Sequence, residues 1–172
     1  LTQAAVAFAK DNARRSIEVL SRIDVGTLNS DEKVRLDLLR ARYFACLGDH
    51  KKALQIIERL SNPSDEHLSQ IALIRALAAE HEGDLAKSSE ILLNAITATS
   101  DQLKNADYQR LLNNYGRIQR INKNSTDSLH YYRKALRLAK DLKEKPLLHA
   151  AYQNVIHSLP SSSRQDEVDR KS

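Results

Sequence analysis

The chain has no methionine and no tryptophan, one cysteine, three prolines and four glycines in 172 residues. Each scarcity excludes something. A single cysteine, Cys46, excludes an internal disulfide. Its apolar neighbours at 43–47 make it read as a buried, inert thiol rather than a reactive one. So few Gly and Pro leave long helices unbroken and exclude low-complexity and collagen-like classes. The longest apolar run, 71–79, is interrupted by Arg75 and is too short to cross a bilayer, so no membrane insertion is expected in this segment. No charged stretch followed by an apolar one marks a leader, and with Leu1 in first place the chain reads as an excised fragment or processed chain. Charge of neither sign dominates. Lys and Arg number 27 against 22 Asp and Glu, a net +5 that favours acidic partners mildly. No dense Lys/Arg run appears, so nucleic acid is not the expected partner.

Reaction chemistry is also scarce. The histidines, at 50, 67, 81, 130, 149 and 157, form no pair at i, i+3 or i+4, and Cys46 has no companion, so no metal site is expected. There is no glycine-rich phosphate loop, no GxSxG elbow and no HExxH. Acidic pairs such as Glu80/Glu82 and Asp166/Glu167 read as solvated surface. The expectation is a non-catalytic protein with no cofactor.

What is present is a repeat. Small residues Ala13, Ala53, Ser88 and Ser128 recur at steps of 40, 35 and 40. Four positions after each stands a large residue (Ile17, Ile57, Leu92, Tyr132), and seven after each another apolar one (Leu20, Leu60, Ala95, Ala135). That spacing is one face of a helix, and a period of this length means one helical unit stacked on copies of itself. Breaks at Gly48-Asp49, Gly83-Asp84 and Lys123-Asn124 keep the period, and Gly or Asn there suits the left-handed residue that ends a helix. Ser30, Ser64 and Ser100, each followed by acids, mark helix starts. The pattern predicts about nine helices, near 1–10, 12–23, 31–47, 50–61, 65–82, 85–97, 102–122, 126–142 and 146–158. From Pro160 the spacing is lost apart from Val168, and 159–172 reads as a linker or frayed tail.

The segment 113–140 resembles the tetratricopeptide repeat through Tyr115, Gly116, the Lys123-Asn124 turn, Ser128, Tyr132 and Ala135. Ala41, Phe44, Gly48-Asp49, Ala53, Ile57 and Leu60 fit the same pattern. So, less fully, do Ala76, Gly83-Asp84, Ser88, Leu92 and Ala95. Asn154 stands 40 residues after Asn114. Departures are Ala79 and Gln119 in place of an aromatic, and steps longer than the family's usual length. The longer steps are similar to divergent arrays of bacterial signalling and regulatory proteins. The opening helices look like those of sensor arrays that in some proteins precede a membrane helix and a DNA-binding domain.

The resemblance implies an all-α, right-handed solenoid of antiparallel helix pairs over 1–158, in repeats near 1–30, 31–64, 65–100 and 101–145 with a half-repeat at 146–158. It implies a concave groove lined by the first helix of each pair. The corresponding positions are Arg35, Leu38 and Arg42; Leu73 and Leu77; Arg110, Asn113, Asn114 and Arg117; Gln153, Asn154 and His157. Spacing by itself supports a shared face for Arg110, Asn113, Asn114 and Arg117. Asn amides can bond a peptide backbone at both donor and acceptor, and Arg can grip a carboxylate through two parallel bonds. The family's terminal-carboxylate clamp is not expected, because Leu38 and Leu73 stand where its lysines would. The resulting expectation is a scaffold holding a peptide or helix of a partner protein. Self-association, as part of a larger sensor or regulatory protein, is the first alternative. RNA binding is the second, disfavoured by uneven repeat lengths and by Leu73 and Leu77 in any base-reading code.

Overall fold

The computed structural model describes residues 3–61, 63–99 and 105–159, with side chains from residue 11 onward. All regular structure among the described residues is helical: α1 (Gln3–Ser21), α2 (Ser30–Leu47), α3 (His50–Glu58), α4 (Asp65–His81), α5 (Leu85–Ala98), α6 (Ala106–Ile121), α7 (Ser125–Leu142) and α8 (Lys145–Ser158), with a 3₁₀ turn at Val25–Thr27. Among the described residues eight helices stand where nine were expected, because the first two are one. Nothing at 10–12 breaks a helix. Asp11 instead supports it, its carboxylate taking an ion pair from Arg14 one turn on at 3.2 Å.

The chain divides into two compact units, Leu1–Ser88 and Ser89–Ser172. In the first, α2 turns an apolar stripe inward (Val34, Leu38, Ala41, Ala45), and Ala53 and Ile57 of α3 and Ile71 and Ile74 of α4 close over it. Helix α3 has only nine residues, too few to hold on propensity alone, so this packing is what keeps it helical. Cys46 lies outside the stripe. It follows the inward Ala45, a step of about 100° round the helix, and is exposed, which corrects the expectation of a buried thiol.

In the second unit Tyr132, Leu136 and Ala139 of α7 pack with Leu147, Ala151 and Val155 of α8. Leu159 joins them at 7 % exposure. The first residue of the expected tail is therefore core, and 160–172 lie outside the described residues. Gly116 on α6 lets α7 approach: a Cβ there would stand 3.0 Å from Tyr132 Cδ1 and 3.2 Å from the Ser128 carbonyl oxygen. The small residues of the repeat are all inward, with Ala13 2 %, Ala53 0 %, Ser88 0 % and Ser128 1 % exposed.

The recurring breaks work in two steps. A left-handed residue ends one helix, at Gly48 (φ 86°), Gly83 (φ 84°) and Lys123 (φ 61°). The next residue closes the turn through its backbone, Asp49 N–H donating to the Phe44 carbonyl, Asp84 to Ala79 and Asn124 to Gln119 at 2.8–2.9 Å. The same three side chains then cap the following helix, accepting from the amides of Lys52, Lys87 and Asp127. At the third break Lys123, not Asn124, takes the left-handed conformation, because Asn124 is needed as the cap.

Helix starts shift too. Asn29, not Ser30, caps α2 in a reciprocal box with Glu32, the two bonds being 2.8 and 2.9 Å. Ser64 holds the cap position of α4 but turns its hydroxyl to His67 Nδ1 at 3.0 Å. Asn105 caps α6, while the expected start at Ser100 and Asp101 lies outside the described residues.

Candidate functional site

Helix α6 presents four residues of the expected groove on one half-buried face. Arg110 is ion-paired with Asp107 one turn back. The Asn114 amide donates to the Arg110 carbonyl at 2.9 Å, and Arg117 Nη2 donates to Asn114 Oδ1 at 3.4 Å. Asn113 looks toward α8, where the Asn154 amide donates to its Oδ1 at 3.2 Å. Sequence separation gave no hint of this bridge, since the two asparagines stand 41 positions apart. Among the described residues, Asn113 Nδ2 and Asn154 Oδ1 have no partner, so the pair keeps one donor and one acceptor for a ligand. Gln153 and His157, also on α8, are exposed.

The first unit places its five candidates differently. Arg35 is exposed and already engaged, with Nε 2.8 Å from Asp31 and Nη2 3.9 Å from Glu66. Arg42 is half-buried, its guanidinium carbon 5.4 Å from the centre of the Tyr43 ring. Leu38 is fully buried and lines no face, while Leu73 and Leu77 are half-buried. The candidates thus form two groups, one per unit. Among the described residues, Arg110, Asn114 and Arg117 are linked by hydrogen bonds along α6, and beside them Asn113 is bonded to Asn154 of α8.

Two histidine arrangements escaped the sequence reading. His50 opens α3 and His81 closes α4, and their rings lie 4.4 Å apart. A cleft of about 390 Å³ beside them is lined also by Asp49, Lys51 and Glu82. Burial, then the neighbouring His81, hold His50 below its ordinary pKa, while Asp49 and Glu82 act the other way. A test for pairs within one helix could not find them. The available signal was position, since each histidine lies within two residues of a Gly-Asp break. His67, nearly buried, stands between Ser64 and Asp31, with its Nε2 3.8 Å from Asp31 Oδ1. This ties the start of α4 to the start of α2.

Among the described residues, no group of three or more His, Cys, Asp and Glu is placed to hold a metal ion. No helix there is long and apolar enough to cross a membrane.

No family model matches the chain, and no curated protein matches it. Among solved structures it is similar to BtubC (BKLC) from P. vanneervenii, with a TM-score of 0.64 over 96 % of this chain and 72 % of that one. Identity is 18 %, so the likeness is one of fold. What fold and comparison define together is an all-helical, repeat-like protein.

Proposed function

We propose that this chain is a non-catalytic protein-interaction module of the tetratricopeptide type, its antiparallel helix pairs winding as right-handed solenoid turns within each unit. The polar surface of α6 and α8 takes an extended or helical segment of a partner protein. The carrying observation is the Asn113–Asn154 bridge, which leaves the Asn113 amide donor and the Asn154 amide acceptor unused on a half-buried face. A peptide unit needs that pair of groups. Arg110 and Arg117 flank it and favour a segment bearing carboxylates. Arg35 adds less, because an exposed cation already paired to two acids gains little from a third.

Capture from a lysate, read by mass spectrometry, tests this reading with wild type beside the Arg110→Ala/Asn114→Ala/Asn154→Ala variant. A protein held by the first and lost by the second supports it. Equal capture by both removes the face from the reading.

Self-association as a sensor or regulatory module is the second reading, favoured by exposed apolar residues near the end of α1. Val19 is 62 % and Val25 41 % exposed. Light scattering over a concentration series separates the two, and a constant monomer mass removes self-association.

A further inference from the structure

Helix α7 carries a close row of cations without the acids that pair with several arginines earlier in the chain. In α1, α2 and α6, arginines are tied to acids a turn away, as Arg14–Asp11, Arg35–Asp31, Arg40–Asp37 and Arg110–Asp107. On α7, Arg133, Lys134, Arg137 and Lys140 are all exposed, and none has an ion-pair partner among the described residues. Arg133, Arg137 and Lys140 follow one another at i, i+4 and i+7, with Lys134 one turn before Arg137. Like charges at this spacing repel and weaken the helix that carries them. Lys134 and Lys140 lean toward aromatic rings instead, their Nζ atoms 5.4 Å from the centre of Tyr131 and 5.6 Å from that of Tyr152.

Beside this row a cleft of about 250 Å³ opens between α6 and α7, lined by Tyr108, Leu112, Lys134, Arg137, Leu138 and Asp141. Leu112 and Leu138 give it apolar lining, and Lys134 and Arg137 outnumber Asp141 among its charged residues.

We propose that α7 and this cleft form a second binding surface, for an acidic amphipathic segment of a partner protein. Carboxylates of the segment pair with the four cations, and one large apolar side chain enters over Leu112 and Leu138. This surface is distinct from the Asn113–Asn154 face and does not depend on it. A protein segment fits better than a nucleic acid, for two reasons. The cations make one row only about 10 Å long, and Tyr108, the aromatic residue of the cleft's lining, is buried and gives bases no open face to stack on.

The probe is a fluorescent synthetic peptide roughly four helical turns long, carrying Glu at i, i+3, i+4 and i+7 with a central Leu. Its controls are a Glu→Gln version, a Leu→Ser version, a uridine oligonucleotide and vesicles of anionic lipid. Anisotropy with the full chain is expected to show binding of the Glu/Leu peptide that weakens with added salt. Arg133→Ala/Lys134→Ala/Arg137→Ala/Lys140→Ala should weaken it by about tenfold or more, with the helical circular dichroism unchanged. Lys33→Ala/Lys87→Ala, two exposed cations outside both surfaces, should leave it as it was. The proposal is overturned if the Glu and Gln peptides bind alike, if the Leu→Ser peptide binds as well, or if the four-residue variant retains full affinity. It is overturned equally if the peptide fails to bind, whether or not the oligonucleotide or the vesicles do.

Discussion

Single residues here show where packing overrides ordinary preference. Gly116 is held glycine by contact rather than by backbone conformation. Ala in its place would press on Tyr132 and on the Ser128 carbonyl, and should cost about 1–3 kcal/mol in urea unfolding. A change within a few tenths would show that α7 can shift, and that this close approach is not a constraint. Gln109 points the other way. It is fully buried with both amide atoms unpaired among the described residues, so Gln109→Leu should stabilise by about 1–3 kcal/mol. A destabilised variant would mean that the amide has a use the fold itself does not reveal. The inward small residues were legible in the sequence because their period and helical spacing agree. Gln109 was not, because nothing in its neighbourhood marks a buried polar residue.

At the scale of the element, starts and stops were largely legible, and their errors share one cause. A Gly-Asp pair states its two jobs openly, left-handed turn and cap. At Lys123-Asn124 the same two jobs fall on residues whose types suggest a different division, and Lys123 takes the strained one. Lys123→Gly should therefore gain about 0.5–1 kcal/mol in the same unfolding measurement. A loss would indicate that the Lys123 side chain makes a contact outweighing the strain.

The stacked His50 and His81 set a pH limit on the join between α3 and α4. The folded state holds His50 below its ordinary pKa of 6.5, so the unfolded chain binds the extra proton first. The stability from neutral His50 is thus fully present above pH 6.5 and declines as pH falls through that value. Asp49 and Glu82, which face the pair with Lys51, temper the decline without reversing it. Urea midpoints between pH 8 and 5 should fall for wild type and fall less for His50→Gln, and parallel curves would remove His50 as the cause. Pairings of this kind, like Asn113 with Asn154, are invisible to a reading that tests spacing along one helix.

For the whole molecule the all-helical class followed from what the chain lacks, and the repeat from one agreement of period. The binding surfaces were only partly legible. Spacing gathered four polar residues on α6, whereas the α8 partner came from the family resemblance and its bond from the fold. The row on α7 was passed over because net charge averages it away. With an excess of cations and mostly exposed ion pairs, moderate salt should screen more repulsion than attraction. The thermal midpoint is expected to rise slightly up to ~0.15 M salt, by about 0.5 kcal/mol or less in stability. A fall would mean that the ion pairs of α1, α2 and α6 outweigh the unpaired row.

Exposure of Cys46 has a practical consequence for any measurement of mass. As the chain's sole thiol, it can join two copies through one covalent bond whenever the buffer is oxidising. Such a dimer would rise with concentration and pass for self-association until a reductant dissolved it. The same solitary thiol also accepts a single dye or spin label at one known point on α2, which makes this protein ready for measurements of local mobility without further engineering.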